Sequence, residues 1–187
     1  MATRWSWIAV LVALLSAAPA QAAPSDPERD LDTDLLLAMP AWLAGDHRQA
    51  LRHFRAAASR GNSHGQYHLS MMLMLGEGGP RRPTEAVAWM RRAAHSGLAP
   101  AQVEWAEWHE QGRHVRRLPR LAFHWYALAA AQDDARACAA LARLYEKGQG
   151  VERDYSQAAH WKLRAAALGS PGAARKATVM PEHARVI

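Results

Sequence analysis

The sequence predicts an all-α fold, an α-solenoid of antiparallel helix pairs with a period of 36 residues. Alanines recur at this interval four times without insertion or deletion, at Ala50, Ala86, Ala122 and Ala158. Pairs of alanines share the same register, at 57–58, 93–94, 129–130 and 165–166. A fixed period of this length is typical of a solenoid, in which a unit buries its apolar face only when a neighbour stacks on it.

Each unit is predicted to contain two helices. In one first helix, Leu69, Met72 and Leu73 fall on a single face and the run stops at Gly76. Second helices begin either at a proline such as Pro83, suited to a first turn, or after a capping residue such as Asp154. Nine helices are therefore expected, near 30–44, 46–60, 64–75, 83–96, 100–111, 119–132, 136–147, 155–168 and 172–180.

The two ends of the chain differ from the repeats. Residues 1–22 combine Arg4, an apolar run from Trp7 to Leu15 and small residues at Ala20 and Ala22, which predicts a signal peptide cleaved after Ala22. A retained membrane anchor is the alternative, although the run is too short to span a bilayer. We therefore expect an exported protein, located in the bacterial periplasm.

The mature chain is expected to divide into three parts. Residues 23–45 are predicted to form a lead-in and a degenerate N-terminal capping helix, and residues 46–175 the solenoid. Residues 176–187 are assigned to a C-terminal cap and tail. Incomplete outer units are typical of repeat arrays, because the apolar face of a terminal unit needs a polar covering.

The stretch from Leu141 to Gly169, LARLYEKGQGVERDYSQAAHWKLRAAALG, closely resembles the Sel-one-like repeat, a relative of the tetratricopeptide repeat. The resemblance extends to Leu69 through Gly97 and, more weakly, to 101–133. It implies a right-handed superhelix of antiparallel helix pairs that serves as an adaptor surface, with no common enzymatic activity. The middle unit has His114 where the others have Gly78 and Gly150, and Leu118 in place of Asp154, which predicts an irregular middle turn.

Few residues suggest chemistry. His64 and His68 are four apart on a predicted helix, a spacing that suits two metal ligands, but no third ligand is evident and two surface histidines are the simpler interpretation. The single cysteine, Cys138, is expected to be a small buried residue. No catalytic motif is present, and we expect neither enzymatic activity nor a cofactor or metal.

Two surfaces are candidates for binding. The first is a groove on the first helices of the units, predicted to present His68, Met71, Met74, Glu104, Glu107, Trp108 and Arg143. The second is a basic loop edge, on which Arg81, Arg117 and Arg153 share one position in successive units, extended by Arg82, Arg116 and Arg120. The edge is either a set of solvated charges or a site for an anionic partner: an acidic protein segment, an envelope polysaccharide or lipid headgroups. Nucleic acid is not expected, because the net charge of +6 is small for 187 residues.

Two functions follow from these features. The favoured function is that of an exported scaffold or adaptor that binds a protein or peptide through the groove. The alternative is a cell-wall-related small-ligand or hydrolase-like role, for which the sequence assembles no convergent polar groups.

Overall fold

The computed structural model describes residues 33–169, in which there are eight α-helices and no β-strand. The helices are α1 Thr33–Leu43, α2 His47–Ser59, α3 Ser63–Leu75, α4 Pro83–His95, α5 Ala99–Gln111, α6 Pro119–Ala130, α7 Ala135–Lys147 and α8 Tyr155–Ala167. Eight of the nine predicted helices are thus present. The predicted signal peptide, the lead-in before residue 33 and the helix at 172–180 lie outside the described residues. No helix within 33–169 has the length and apolar character needed to cross a membrane.

The helices begin in the two ways that the sequence predicts, with a capping side chain or with a proline in the first turn. The side chain of Asp46 accepts a 3.0 Å hydrogen bond from the amide of Gln49, and that of Asp154 accepts from the amide of Gln157 at 3.0 Å. Helices α4 and α6 begin instead at Pro83 and Pro119, without a capping side chain. A proline suits this position because the first amides of a helix have no intrahelical acceptor.

Three turns between first and second helices share one backbone geometry. Each first helix ends at a glycine in the left-handed conformation, with φ of 80° at Gly76, 72° at Gly112 and 65° at Gly148. An amide then closes each turn onto a carbonyl nine residues earlier, as from Leu118 to His109 at 2.9 Å in the middle unit. The prediction of an irregular middle turn is therefore wrong for the backbone.

The middle turn keeps this geometry because His114 adopts a left-handed conformation itself. Its φ of 64° is close to the 75° of Gly78 and the 76° of Gly150. The His114 ring packs edge-on against Trp108, with 4.9 Å between ring centroids. Packing against an aromatic ring offsets part of the conformational cost that a side chain has at such a φ.

Small residues set the distance between helices. The repeated alanines Ala50, Ala86, Ala122 and Ala158 are all buried. At Gly65, an added Cβ would lie 2.7 Å from the Cβ of Ala57, so α3 and α2 approach too closely for any side chain there. The tryptophans of the second helices pack against the same core, with Trp125 buried and Trp89 and Trp161 partly buried.

Candidate protein-binding face

The first helices of the units contribute to one surface, on which side-chain contacts join α5 to α7. Arg136 of α7 lies 3.9 Å from Glu104 of α5, and the Arg143 guanidinium of α7 makes an ion pair with Glu110 of α5. We name the solvent-facing side of these helices the A-helix face and define it by Tyr67, His68 and Met71 of α3, Glu104 and Glu107 of α5, and Arg136 and Arg143 of α7.

Five of the seven predicted groove residues lie on this face. They are His68, Met71, Glu104, Glu107 and Arg143. Met74 and Trp108 do not, because they are only 6% and 4% exposed and belong to the core. Their assignment to the groove is wrong. Trp108 packs against Trp105, with ring centroids 5.9 Å apart, and neither ring reaches the face.

Sequence reasoning missed two members of the face, Tyr67 and Arg136. Tyr67 precedes Met71 by four residues, which places the two on one side of a helix. Arg136 stands 36 residues after Pro100 and 72 after His64. In an alignment of the repeats it therefore occupies the same position, or column, as His64. Both signals were present in the sequence.

The α3 part of the face is aromatic and uncharged. The His68 ring stacks on Phe54 with 4.9 Å between centroids and meets Tyr67 edge-on at 5.2 Å. Burial lowers the pKa of His68 to about 4, with a further lowering by the neighbouring His64. His68 is therefore neutral at pH 7.

The α5 part is acidic, and its carboxylates differ in how far ion pairs and hydrogen bonds balance their negative charge. Glu110 is nearly buried, binds Arg143 through both of its oxygens and accepts a 3.0 Å hydrogen bond from the Tyr126 hydroxyl. Burial alone would raise the pKa of Glu110, but the hydrogen bond and charge of Arg143 outweigh it, and the pKa is lowered. Burial of the Tyr126 hydroxyl and the negative charge of Glu110 raise the pKa of Tyr126.

Glu104 and Glu107 have weaker contacts with positive charges than Glu110 has. Glu104 has only the 3.9 Å contact with Arg136, whose guanidinium also lies 3.7 Å from Asp134. Burial raises the pKa of Glu107, and the negative charge of Glu104 raises it further. Burial raises the pKa of Tyr67, and the negative charges of Glu104 and Glu107 raise it further.

The basic loop edge consists of exposed residues, but two of its arginines also stabilise helix ends. All six members are exposed: Arg81, Arg82, Arg116, Arg117, Arg120 and Arg153. The Nε of Arg81 donates to the carbonyl of Met74 at 2.9 Å, and the Nε of Arg117 donates to that of Glu110 at 3.0 Å. Donation to carbonyls at a helix C-terminus satisfies groups that have no intrahelical partner.

No metal site is formed within residues 33–169. That part of the chain contains no group of three or more His, Cys, Asp or Glu side chains that could hold an ion. His68 packs against Phe54, consistent with a role in packing. Cys138 is buried with no disulfide, as predicted, and burial raises the pKa of its thiol.

Helix pairs stacked at a fixed period, with a surface formed by their first helices, define an α-solenoid. The Sel1 repeat model matches the chain in four consecutive units, at 42–62, 63–98, 99–134 and 135–170. The protein belongs to the Sel1 repeat family. Proteins with this fold commonly mediate protein–protein interactions and are typically non-catalytic scaffolds.

Solved structures show the same architecture. A Sel1 repeat protein from Oxalobacter formigenes is 35% identical with a TM-score of 0.65, covering 68% of this chain and 96% of that one. The protective antigen c5321 of uropathogenic Escherichia coli is 32% identical with a TM-score of 0.70, over 75% of this chain and 31% of the antigen. Cysteine-rich protein B of Helicobacter pylori shares the fold at 21% identity and a TM-score of 0.55, over 70% of this chain and 93% of that one. No curated protein is significantly similar in sequence.

Proposed function

We propose that this protein is an exported scaffold that binds protein partners through its A-helix face. The observation that carries the proposal is the contrast between two kinds of repeated position. The buried alanines at 50, 86, 122 and 158 keep one residue type at a packing position. Met71, Glu107 and Arg143 are equally spaced by 36 residues, yet they are apolar, acidic and basic.

Stacking does not require this variation. Each of the three side chains is only partly buried and faces solvent on the same surface. A surface that combines adaptable apolar contact at Met71 with fixed charges of both signs suits a polypeptide better than a small ligand. The membership in a family of interaction scaffolds supports the same function.

Partner capture tests the proposal. The full chain with an affinity tag would be chemically cross-linked in cells and purified, in parallel with Met71→Asp and with Arg91→Asp as a matched control. Arg91 is exposed on α4, away from the first helices. We expect the wild type and the Arg91 variant to capture the same protein and the Met71 variant to lose it. Equal capture by all three, with equal circular dichroism spectra, would show that the A-helix face is not the binding surface.

The location is tested separately. Cell fractionation and N-terminal sequencing of the mature protein are expected to find it in the periplasmic fraction, beginning at Ala23. A full-length chain that retains Met1 and stays in the cytoplasm would exclude export.

We further propose that the basic loop edge contributes to the binding of an acidic segment of the partner. Arg116, Arg120 and Arg153 are the positions to reverse to glutamate, because Arg81 and Arg117 also bind helix-end carbonyls. The triple variant should weaken capture at low salt, and high salt should reduce the difference by screening. If capture at low salt does not change, these charges are only solvated surface groups.

A further inference from the structure

Glu107 is exceptional among the carboxylates of the described residues. Each other carboxylate that is buried or half-buried there has an ion pair or a hydrogen bond. The pairs are Asp34 with His53 and Arg60, Glu77 with Trp42, Glu85 with Arg55 and Arg82, Glu104 with Arg136, Glu110 with Arg143, Asp134 with the amide of Ala137, and Glu146 with Lys162. Glu107 is half-buried and has neither within residues 33–169.

This arrangement is unfavourable for the isolated chain. A carboxylate that is partly shielded from water without gaining a partner is destabilised in its charged form, and Glu104 on the preceding turn adds a like charge. The positive charges of Arg136 and Arg113 oppose this only at a distance, and burial and Glu104 outweigh them. The fold does not need a carboxylate at this position, since Met71 and Arg143 occupy it in the neighbouring units. Glu107 is therefore suited to a cation supplied from outside the chain.

The surroundings of Glu107 fit a particular kind of cation. On helix α3, Tyr67 lies within electrostatic reach of Glu104 and Glu107. Together with neutral His68 and Met71 it forms an aromatic and apolar wall that contains no Lys or Arg. Long basic side chains bury their methylene stems against such a wall and place the charged end on a carboxylate. A cation beside an aromatic ring is also favoured by the negative potential of the ring face.

We propose that a lysine or arginine side chain of a partner polypeptide binds on the A-helix face between Tyr67 and Glu107. This inference rests on the proposed function and adds the chemistry of the partner. Arg143 does not compete for Glu107, because both oxygens of Glu110 bind its guanidinium. The acidic segment expected at the basic loop edge would occupy a different surface.

Selection from a random library of 12-residue peptides tests the proposal, with the full-length wild type and Glu107→Gln immobilised in parallel. We expect the wild type to enrich peptides in which a lysine or arginine is next to an apolar residue, and Glu107→Gln to lose that enrichment. Enrichment of acidic or uncharged peptides by the wild type would overturn the proposal, as would the same basic peptides on both proteins.

Titration of one enriched peptide makes the test quantitative. Replacement of its lysine by norleucine keeps the stem and removes the charge, and about tenfold weaker binding to the wild type is expected. Glu107→Gln should weaken the unmodified peptide by a similar factor and should not distinguish the two peptides. Arg136→Gln is a matched second variant that removes the neighbouring cation and should tighten binding of the unmodified peptide. Equal affinities of the wild type for both peptides would overturn the proposal.

The two proposals fail in different ways. The circular dichroism spectrum of Glu107→Gln must match that of the wild type, and its melting temperature must not be lower, because removal of an unpaired carboxylate should not destabilise the fold. If partner capture is lost in Met71→Asp but unchanged in Glu107→Gln, the A-helix face binds a partner and the cation assignment is wrong. If capture also survives in Met71→Asp, the proposed function fails as well.

Discussion

Glu110 accepts a hydrogen bond from Tyr126 at a position where each unit uses a different chemistry. The two residues are 16 apart and join the first and second helices of one unit. The preceding unit has the buried Met74 and Met90 at the same two positions, and the following unit has Glu146 paired with Lys162. The same pair of repeat positions therefore holds two apolar side chains in one unit, a hydrogen bond in the next and an ion pair in the third.

Loss of Arg143 should destabilise the fold more than loss of an exposed arginine nearby. Arg143→Met leaves the Glu110 carboxylate, which is 9% exposed, with Tyr126 as its remaining partner. We expect the free energy of unfolding to fall by about 2 kcal/mol, measured by urea denaturation. Arg136→Met is the matched control and should cost less than about 1 kcal/mol, because the Arg136 side chain is 51% exposed and its contacts with carboxylates are long, at 3.7 and 3.9 Å. Equal losses would mean that the Glu110 pair contributes no more than a surface contact.

The charge of Glu110 should make part of the stability depend on pH. Because its pKa is lowered in the folded state, its contribution is present above the unfolded pKa and is lost as pH falls through the folded pKa. Glu110→Gln removes that contribution, so the difference in melting temperature between wild type and variant should be largest near pH 7. It should shrink below about pH 4.3, the usual value for glutamate. A difference that stays constant between pH 7 and pH 3 would contradict this assignment.

Substitution of Gly150 should be much more damaging than substitution of another glycine with positive φ. A Cβ at Gly150 would lie 2.2 Å from the carbonyl oxygen of Pro119, in addition to the cost of a φ of 76°. Gly61 has a φ of 93° but no atom within 4 Å of its added Cβ. Gly61→Ala is expected to cost about 1 to 2 kcal/mol from the backbone alone, and Gly150→Ala clearly more, in thermal or urea unfolding. Similar costs would show that the turn moves away from α6 easily.

Ser96→Gln should stabilise the protein by satisfying a buried oxygen. The Oε1 of Gln66 is buried without a hydrogen-bond partner among the described residues. One unit later, the equivalent Oε1 of Gln102 accepts a 2.9 Å bond from the Nε2 of Gln132, which stands 36 residues after Ser96. We expect a gain of about 0.5 to 1 kcal/mol in the free energy of unfolding.

The reverse substitution provides the control for this pair. Gln132→Ser should lose a comparable amount, because it leaves Gln102 in the situation of Gln66. If neither substitution changes the melting temperature, a glutamine side chain at position 96 or 132 contributes nothing to stability.

The repeats made the helices predictable because each signal occurs several times. A single glycine or alanine is weak evidence, but Gly76, Gly112 and Gly148 at one position each end a helix in the structure. Helix starts were predictable for the same reason, through the capping side chains of Asp46 and Asp154.

Which side chains face solvent was harder to predict. Met74 shares its repeat position with Glu110 and Glu146, and polar side chains are typical of an exposed position. In the structure, Glu110 accepts a hydrogen bond from Tyr126 and Glu146 pairs with Lys162, so this repeat position faces the second helices. Trp108 was an avoidable error, since its column also holds Met72 and Leu144, which are buried.

The middle turn shows a limit of a different kind. Comparison with Gly78 and Gly150 correctly identified His114 as a departure, but nothing in the sequence indicated that a histidine would adopt the same left-handed φ. The His114 ring packs against Trp108, a tertiary contact that cannot be derived from the sequence of the turn alone.

The glycines at 78 and 150 also determine how the units are joined. Each brings its turn against the first residues of the preceding second helix, at His47 and at Pro119, closer than any Cβ allows. His114 has a Cβ, so the middle turn must stand farther from the corresponding start of α4. Two junctions between units thus have a glycine in this turn and one has His114, and the His114 junction lies between the unit of Tyr67 and the unit of Glu107. A change in curvature at this junction would open or narrow the gap between the aromatic side chains of α3 and the Glu107 carboxylate.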